Sequence, residues 1–537
     1  MINGAQIMVK CLQQEGIKVV FGYPGAAICP FYDALYDSDI RHILVRQEQN
    51  AGHAANGYAR MSGRAGVCIT TSGPGATNLI TAIASAYMDS IPIVAITGQV
   101  RSDLIGRDVF QEADITGACE PFTKHSYLVK RTADLPRIFK EAFHIATTGR
   151  PGPVLIDVPV DVQLGTVKEF KYPESVDIIG YKPTTSGNMA QIKRACSVIS
   201  QAKRPVICAG GGVFSARARD ELMSFAEKTK IPVVCTMMGI GTVPTDYPGN
   251  LGMLGTHGVK AANHAIQHAD LIILCGARVG DRAMARPDQI ASRSKVIHID
   301  IDPAEIGKNM AATVPIVGDL KNVLTELVKL VDYTCPQEWI EDCISRKTPP
   351  KPRDTDLIDP KEFIRLLSKN MAEGSILVAD VGQNQIWSAN NFFVNKRRAF
   401  LTSGGMGTMG YSVPAAVGAK LARPDFQVAA VCGDGAFQMQ MMELATIRQH
   451  DVDIKIIVMC NNRLGMVREL QDRLYGGRHS GVILDGSPDF IKIAGAYSIP
   501  AAMISSMDQA EEAVKTMFNT KGPYLLACKV SPGEPSL

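Results

Sequence analysis

VAAVCGDGAFQMQMMELATIRQHDVDIKIIVMCNN, residues 428–462, is the stretch from which the fold can be predicted. Its pattern predicts a buried strand over Val428–Cys432, a helical stretch, and a second buried strand over Ile454–Met459. Strand, glycine turn and helix in this order are typical of parallel α/β layers. If the two strands are neighbours, Asp434 and Asn461 lie at the same sheet edge, because parallel strands end together.

The side chains at these two strand ends suit a metal ion and a diphosphate. A carboxylate and an amide oxygen are hard donors of the kind Mg²⁺ takes, and that ion keeps part of its octahedron for water and phosphate oxygens. Gly433 and Gly435 let the backbone approach a diphosphate closely. Taken alone, the GDG turn or the asparagine pair is more simply explained as a tight turn or a cap. The joint arrangement, with 27 residues from Asp434 to Asn461, is more specific.

The same strand–glycine–helix pattern recurs along the chain, for example in VVFGYPG, VCITTSGPG, PVICAGGGV and LIILCGARVG. It predicts an α/β protein with three doubly wound parallel-sheet domains. Polar, turn-rich stretches at Thr166–Met189 and Cys335–Asp359 are predicted linkers, and they divide the chain into blocks 1–165, 190–334 and 360–537. The first and third blocks could share a topology.

Composition excludes several classes of protein. At ~100–200 residues per domain, 537 residues suggest about three domains. A formal charge of +3 without a long basic run argues against nucleic-acid binding. The apolar runs are far shorter than the ~20 residues of a membrane span, and the N-terminus lacks the apolar core of a secretory signal. Thirteen scattered cysteines without CxxC spacing predict free thiols in a reducing cytoplasm.

GDG followed by an asparagine pair resembles the cofactor motif of the thiamine-diphosphate enzymes. The resemblance implies Mg²⁺ held by Asp434, Asn461 and the main-chain carbonyl of Arg463, with Gly433, Gly435 and Ala436 beside the diphosphate. One departure is Cys460, which stands where the family has the first asparagine of its pair, while the ligating position is kept.

Two segments upstream resemble the family's other cofactor loops: ADVGQNQ, residues 379–385, and TSGGMGTMGYSVPA, residues 402–415. The resemblance implies that Gln383 and Asn384 face the diphosphate, where many relatives have histidine at the second position. It also implies that the Gly407 carbonyl meets the aminopyrimidine and that Met409 lies beneath the cofactor and bends it. Without the resemblance, GGMG reads as a flexible turn.

In LVRQEQNAGHAANGYAR, residues 44–60, Glu48 ends an apolar run and begins a helix of small residues. Taken alone, this carboxylate is equally well explained as a first-turn acid that favours the helix dipole. The segment resembles the family motif RxEQxAxxxAxGYAR, whose glutamate shares a proton with N1′ of the pyrimidine. Such a glutamate usually acts on a cofactor held by a partner subunit, so the resemblance implies an obligate homodimer.

FGYPGAAICPFYDAL (21–35), TTSGPGATN (70–78) and the segment 108–129 resemble the catalytic subunits of acetohydroxyacid synthase, also called acetolactate synthase. The resemblance covers essentially the whole chain. It implies that pyruvate loses CO₂ and joins a second 2-oxo acid, pyruvate or 2-oxobutyrate. The products are 2-acetolactate or 2-aceto-2-hydroxybutyrate, which enter branched-chain amino-acid synthesis. A homodimer or tetramer and a small regulatory subunit are implied as well.

The same resemblance assigns residues to the reacting centre. Gly25, Phe110 and Gln111 would line it, and Arg282 would bind the carboxylate of the second substrate, a task suited to a guanidinium fork. A surface ion pair is the alternative for Arg282.

In this family the middle block binds FAD without net redox turnover, and here AGGGV (209–213) and HIDID (298–302) follow or end predicted strands. The implied FAD residues are Arg150, the stretch from His257 to Arg278, and the stretch from Asp300 to Asp319. A pyruvate oxidase, in which the flavin turns over, and a flavin-free catabolic relative remain alternatives, as does a related carboligase.

Four further positions depart from the family pattern: Ala26, Val160, Gly280 and Leu470. Leu470 replaces a tryptophan that shapes the second-substrate pocket, so the preference for 2-oxobutyrate is left open. A non-catalytic nucleotide-binding regulator on this scaffold is a further alternative. It is disfavoured because Glu48, Asp434 and Asn461 are all kept, and a regulator needs neither a proton relay nor a metal.

Overall fold

The computed structural model describes residues 1–348 and 356–537. It contains three six-stranded sheets, each entirely parallel and covered by helices on both faces. The predicted α/β class with three doubly wound parallel sheets is therefore confirmed. A two-stranded antiparallel pair joins the N-terminus to residues 166–167.

The first domain holds the antiparallel pair and the first six-stranded sheet, whose order is β3-β2-β4-β5-β7-β6. Its strands are β1 Ile2–Asn3, β2 Val19–Tyr23, β3 Arg41–Leu44, β4 Gly66–Thr70, β5 Ile93–Gln99, β6 His125–Leu128, β7 Val154–Pro159 and β8 Thr166–Val167. Its helices are α1 Gly4–Gln14, α2 Cys29–Tyr36, α3 Glu48–Ser62, α4 Pro74–Thr77, α5 Ile80–Asp89, α6 Ile115–Cys119, α7 Leu135–Thr147 and α8 Val160–Leu164.

The middle domain has the strand order β11-β10-β9-β12-β13-β14. Its strands are β9 Pro205–Ala209, β10 Val233–Cys235, β11 Asn250–Met253, β12 Leu271–Cys275, β13 Lys295–Asp300 and β14 Val314–Val317. Its helices are α9 Met189–Ile199, α10 Gly212–Ser215, α11 Arg219–Thr229, α12 Lys260–His268, α13 Pro287–Ala291, α14 Leu320–Leu330 and α15 Gln337–Ser345. In order of appearance this arrangement is 3-2-1-4-5-6, that of dinucleotide-binding sheets.

The third domain has the strand order β16-β15-β17-β18-β20-β19. Its strands are β15 Ser375–Ala379, β16 Arg398–Leu401, β17 Gln427–Gly433, β18 Lys455–Cys460, β19 Ala501–Ile504 and β20 Tyr524–Lys529. Its helices are α16 Pro360–Asn370, α17 Gln383–Asn391, α18 Ser412–Ala422, α19 Asp434–Gln440, α20 Glu443–Gln449, α21 Gly465–Tyr475, α22 Phe490–Ala496 and α23 Ala510–Asn519.

The second predicted linker, 335–359, is only partly irregular. Helix α15 lies inside it and buries Trp339 and Cys343 in the core of the middle domain, and the Trp339 indole donates to the Pro205 carbonyl. This part was wrongly predicted, because prolines and charges on either side mask two apolar residues at helical spacing. Residues 349–355 of the same linker lie outside the described residues. The domain boundaries themselves stay predictions.

The first and third domains pack through α3 and α18, which cross at backbone contact. A Cβ on Gly57 would lie 2.0 Å from the Ala415 carbonyl oxygen, and one on Gly418 would lie 1.8 Å from that of Ala54. Only glycine permits this approach, so the small residues of both helices bring the two sheets together.

Among the described residues, no helix combines the length and the apolar composition needed to cross a membrane. All thirteen cysteines are free, and only Cys29 is exposed.

Candidate functional site

Four segments lie side by side at the carboxyl end of the third sheet. Strands β16, β15, β17 and β18 are consecutive neighbours. The segments that follow them are 402–411, 382–384, 433–436 and 461–463, and we call this set the third-sheet edge. Strands β15 and β17 flank the point where the strand order reverses, which is where open α/β sheets bind ligands. The neighbouring placement of Asp434 and Asn461 predicted from the sequence is confirmed.

The side chains of Asp434 and Asn461 accept hydrogen bonds at the ends of β17 and β18, and the bond to Asp434 connects the two ends. Oδ2 of Asp434 accepts the Asn462 N–H at 2.6 Å, and Oδ1 of Asn461 accepts the Arg463 N–H at 3.0 Å. Asn462 has a φ of +52°, a left-handed conformation that asparagine tolerates. Burial raises the pKa of Asp434, whereas the N–H groups of Asn462, Gly435 and Asn461 lower it. The carboxylate is thus oriented toward main-chain donors, with Gly433 and Gly435 on either side.

Two side chains at the start of α17 line the same edge. Asn384 is buried, and its Oδ1 has no hydrogen-bond partner among the described residues. Gln383 accepts from Nδ2 of Asn461 at 3.1 Å and donates to Oε1 of Glu469 at 2.7 Å and to the Glu534 carbonyl. The Asn384 amide is therefore available to a ligand, while the Gln383 amide joins the Asn461 turn to α21 and the C-terminal segment.

Loop 402–411 is held by carboxylates on both sides. Asp380 accepts the N–H groups of Gly410 at 2.9 Å and Ser412 at 2.8 Å, and Asp89 of the first domain accepts that of Gly405 at 2.7 Å. Gly407 has a φ of +69° and is exposed with open space around it.

Met409 belongs to the same loop and is half-buried. Its Cε would lie 3.7 Å from a Cβ built on Gly435. The thioether thus lies over the GDG turn.

The first sheet has an edge built in the same way. Strands β3, β2 and β4 are neighbours, and Glu48, Gly25 and the loop 71–78 follow them. We call these residues, with Phe110 and Gln111, the first-sheet edge. Glu48 is the first residue of α3, as predicted, and its Oε2 accepts from Nδ2 of Asn78 at 2.9 Å.

Close approaches at three glycines bring the predicted residues of the first-sheet edge together. A Cβ on Gly25 would lie 2.5 Å from the Thr71 methyl, one on Gly75 would lie 3.6 Å from Oε1 of Glu48, and one on Gly73 would meet Cα of Gln111 at 2.9 Å. The loop 71–78 therefore connects Gly25, Glu48 and Gln111.

Phe110 and Gln111 lie on a loop after β5 that is fixed at its base. Nε2 of Gln99 donates to the Ala113 carbonyl at 2.8 Å and to Oδ2 of Asp157 at 2.9 Å. Burial raises the pKa of Asp157 to about 7, against hydrogen bonds from Thr97 and Gln99 that lower it. Gln111 has a φ of +58°, and Phe110 is 86% exposed.

Within one chain, no hydrogen bond between the described residues joins the two edges. Among the described residues, the Glu48 carboxylate has its hydrogen bond within the first domain and none to the third-sheet edge. Hydrogen bonds between the two domains include those from the Arg46 N–H and the Asn50 amide to Glu443 of α20, and that between Ser85 and Thr408 at 2.6 Å.

The middle sheet brings glycines together at its own reversal point. A Cβ on Gly212 would lie 2.7 Å from Cα of Gly276, so the ends of β9 and β12 touch. A cavity of about 460 Å³ opens beside them, between Met238 of this domain, Arg60 of the first domain and Thr402 of the third.

The predicted FAD residues are distributed around this end of the sheet. The Arg150 guanidinium donates hydrogen bonds to Ser90, to Asp302 at 3.2 Å and to Glu305 at 2.9 Å. The last two bonds connect the first domain to the loop after β13. Asp300 ends β13, and burial raises its pKa to about 6.

The other three predicted FAD residues have partners within the protein. Arg278 donates to the Met88 carbonyl of the first domain, and burial lowers its pKa. The His257 carbonyl accepts from Asn390 at 3.0 Å. Asp319 caps α14 by accepting the Asn322 N–H at 3.2 Å.

Two predicted specificity residues lie at the surface of the single chain. The Arg282 side chain is 81% exposed, with Nε 3.7 Å from Oδ2 of Asp281. Leu470 is 41% exposed on α21, a helix without any buried residue. Leu470 is therefore not part of the core of the third domain.

The third-sheet edge fits a diphosphate and a hard cation. It offers the buried Asp434 carboxylate, the unpartnered Asn384 oxygen and the Asn461 amide oxygen. A Cβ on Gly433 would meet only the Asn384 amide, at 3.6 Å, so the backbone is open there. No cluster of three or more His, Cys, Asp or Glu side chains suited to a metal occurs in the described ranges, as expected for a site with one carboxylate and oxygen ligands.

Sequence reasoning missed three residues at these edges: Asp380, Asn78 and Glu443. Asp380 carried a signal, since it is an acid at a strand end two residues before a glycine. Asn78 lies in the TSGPGATN motif but without an obvious partner. Glu443 contacts residues about four hundred positions earlier, a pairing that no local pattern reveals.

Three family models match the chain, one for each domain. They are the N-terminal TPP binding domain of thiamine pyrophosphate enzymes over residues 2–118, the central domain over 192–327 and the C-terminal TPP binding domain over 380–528. Thiamine pyrophosphate is another name for thiamine diphosphate. The models together span more than half of the chain.

Curated relatives match over nearly the full length. A probable acetolactate synthase large subunit of Methanocaldococcus jannaschii is 48% identical, over 99% of this chain and 93% of its own. The acetolactate synthase isozyme 2 large subunit of Escherichia coli is 44% identical, over 99% and 96%. The acetolactate synthase large subunit of Corynebacterium glutamicum is 46% identical, over 96% and 84%. With its three matched domains and these relatives, the chain belongs to the thiamine pyrophosphate enzyme family and, within it, to the acetolactate synthases.

Proposed function

We propose that this thiamine-diphosphate-dependent synthase joins pyruvate, with loss of CO₂, to a second 2-oxo acid, giving 2-acetolactate or 2-aceto-2-hydroxybutyrate. The observation that carries the proposal is the third-sheet edge. Four neighbouring strands bring all four predicted cofactor segments to one line, at the reversal of strand order. A regulator that only binds nucleotides would have no use for this edge together with Glu48.

Binding of the cofactor is the task of the third-sheet edge. Asp434, Asn461 and the Arg463 carbonyl would hold Mg²⁺, and the N–H groups at Gly433–Ala436 with the Asn384 amide would bind the diphosphate. The Gly407 carbonyl and the Met409 side chain would fix the aminopyrimidine and the bend of the molecule. When bound, thiamine diphosphate would supply the carbon nucleophile needed for a 2-oxo acid to lose CO₂ and pass on its acyl group.

Glu48 would hold a proton at N1′ of the pyrimidine, as an acid–base group must lie within hydrogen-bond reach of the atom it serves. Its carboxylate is oriented by Asn78, which leaves the other oxygen beside Gly75. Gly25 and Gly75 pack against Thr71 beside this oxygen.

The complete site would form between two copies of this chain in a homodimer, or in a tetramer built from such dimers. Glu48 has its contacts within its own domain, and the third-sheet edge of the same chain lacks a carboxylate that could serve N1′. Exposed apolar side chains, Phe110 of the first-sheet edge and Met406 of loop 402–411, support a covering partner.

Arg282, Phe110 and Gln111 would bind the second 2-oxo acid. The exposed guanidinium can form a bidentate pair with a carboxylate. Gln111 is held in a left-handed conformation against Gly73, and strain of this kind is found where a side chain must point in one direction. Leu470 would contact the alkyl group of the substrate.

FAD would bind at the middle sheet without turning over. The dinucleotide-type strand order, the touching glycines at Gly212 and Gly276, and the acid at Asp300 support this part of the proposal. The task would fall to Arg150, to residues between His257 and Arg278, and to residues between Asp300 and Asp319. Steady bleaching of bound flavin by pyruvate without oxygen would favour a pyruvate oxidase instead, and no flavin uptake would favour a catabolic synthase.

The relatives are named as large subunits, which supports a small regulatory subunit as a partner. A product assay tests the proposal as a whole. The purified chain with thiamine diphosphate and Mg²⁺ is given pyruvate alone, and then pyruvate with 2-oxobutyrate. Formation of 2-acetolactate, and of the hydroxybutyrate product in the mixture, is expected. Acetate or acetaldehyde as the main product would contradict the proposal.

A further inference from the structure

Residues 44–50, from the end of β3 to the start of α3, are called the Glu48 corner. A helix of the third domain contacts this corner. The Arg46 N–H and the Asn50 amide both donate to Oε1 of Glu443 at 2.7 Å. Glu443 begins α20 of the third domain, so the same carboxyl oxygen accepts from residues on both sides of Glu48.

Further contacts between the same helix and the Glu48 corner reinforce this one. The Leu44 N–H donates to Nε2 of His450 at 3.1 Å, and the Thr446 hydroxyl donates to the Leu44 carbonyl at 3.1 Å. The Arg46 guanidinium donates to Oε1 of Gln449 at 2.7 Å. The main chain that presents Glu48 is thus fixed from outside its own domain.

Glu443 is only 1% exposed, and burial raises its pKa, whereas hydrogen bonds from Thr446, Asn50 and Arg46 lower it. A buried carboxyl group is costly unless its oxygens are satisfied. Asn50 is fully buried too, and among the described residues its Oδ1 has no partner, so its bond to Glu443 is what orients it. If this contact served only packing, an apolar pair in place of Glu443 and Asn50 would stabilise the fold at least as well.

We propose that Glu443 is a positioning residue for Glu48: it binds the Arg46 main chain before the catalytic carboxylate and the Asn50 side chain after it, and so sets the direction of that carboxylate. The inference rests on the proposed role of Glu48. Glu443 acts only through position, because it accepts two hydrogen bonds and transfers no proton. A displacement of about 1 Å at a reacting group can cost about 100-fold in rate.

Substitutions at one position separate geometry from charge. Glu443→Gln keeps an oxygen that can accept both bonds, and its amide nitrogen can donate to the Thr446 hydroxyl. Glu443→Ala removes both bonds, and Glu443→Asp keeps the charge but withdraws the oxygens. The matched control is Gln449→Ala, which removes another 2.7 Å bond between the same two elements without touching the main chain of the Glu48 corner.

The experiment measures kcat, KM for pyruvate and the affinity for thiamine diphosphate in the full-length enzyme, with hydrogen–deuterium exchange of residues 44–52 in the cofactor-free protein. Glu443→Ala and Glu443→Asp should lower kcat about 10- to 100-fold, with cofactor affinity within about threefold, and should speed exchange in this peptide. Glu443→Gln should keep kcat and exchange near the wild type, and Gln449→Ala should do the same.

Two results would overturn the proposal. Loss of activity in Glu443→Gln equal to that in Glu443→Ala would show that the charge or proton matters rather than position. Unchanged kcat and exchange in Glu443→Asp would show that the contact is merely structural, even if Glu443→Ala fails to fold. Glu48→Gln serves as the separate test of the proposed function: if it keeps full turnover, the role of Glu48 fails independently of Glu443.

Discussion

The first and third sheets have the same strand order and carry different chemistry at the same place. The strand order is β3-β2-β4-β5-β7-β6 in the first sheet and β16-β15-β17-β18-β20-β19 in the third. The two orders are identical when the strands of each sheet are numbered from the first one along the chain. After β17 the third sheet presents Asp434 and backbone N–H groups, whereas after the equivalent strand β4 the first sheet presents the loop 71–78, whose Asn78 donates to Glu48 beyond strand β3. The topology therefore provides a place for a ligand, and the loop residues decide which part of it is bound.

The difference follows from a few residues in equivalent loops. In the third sheet, the turn after β17 is open, and the Asn384 amide lies beside it. In the first sheet, the turn after β4 is filled by Thr71 and Gly75, which contact Gly25 and Glu48. Under the proposed function, the diphosphate binds at the open edge and the pyrimidine ring at the lined one.

The largest effect on cofactor binding is expected at the third-sheet edge. Asp434→Ala should lower Mg²⁺-dependent affinity for thiamine diphosphate by about 100-fold or more. Even residues that only hydrogen-bond to a metal ligand change metal affinity by about 10- to 100-fold when they are mutated. Fluorescence quenching during cofactor titration measures this. Asp425→Ala, which removes an exposed carboxylate of the same domain, is the control. Unchanged affinity in Asp434→Ala would remove the metal from this edge.

At the first-sheet edge, Glu48→Gln should lower turnover by about 10²- to 10⁴-fold, the usual contribution of a general acid–base group. Cofactor affinity should stay near the wild type, because the amide keeps the size and the contact with Asn78. Steady-state rates and cofactor titration check the two expectations, with Glu120→Gln as an exposed control. Acetolactate formation at the wild-type rate would contradict the assignment.

A third difference between the sheets is a buried acid. Asp157 lies in β7, whereas its counterpart strand β20, YLLACK, contains none. Since the folded pKa of Asp157 is raised to about 7 from 3.8, its contribution to stability is complete below about pH 4 and is lost as pH rises through 7. Asp157→Asn should reduce the stability difference between pH 5 and pH 8 by about 1 to 3 kcal/mol. Urea unfolding at both pH values measures it, and an unchanged difference would contradict the assignment.

The smallest effect concerns α21. A tryptophan in place of Leu470 would offer a flat face to the ethyl group of 2-oxobutyrate, and a methylene in an apolar pocket is worth about 1–3 kcal/mol of discrimination. The unmodified enzyme should therefore use pyruvate and 2-oxobutyrate about equally, and Leu470→Trp should favour 2-oxobutyrate. Competition between the two substrates decides this. A strong preference for 2-oxobutyrate that Leu470→Trp leaves unchanged would place specificity elsewhere.

The parts of this structure that the sequence predicted are local. Strand, glycine and acid are consecutive at β17, so the third-sheet edge and the start of α3 at Glu48 could be predicted from pattern and motif. The parts that were missed depend on distant residues. Glu443 meets Arg46 across 397 positions, and Asp89 meets Gly405 across 316. Asp319, which the family resemblance implied as an FAD residue, caps the helix that follows it.

The central claim is that one active site takes its first-sheet edge from one chain and its third-sheet edge from another, and mixing of two inactive variants tests it most directly. Glu48→Gln and Asp434→Ala chains carrying different tags are co-expressed in equal amounts. We predict activity of about a quarter of the wild type, because half of the dimers are mixed and one of their two sites is intact. Activity no higher than that of the separate variants would contradict the claim and place both edges in a site formed by one chain.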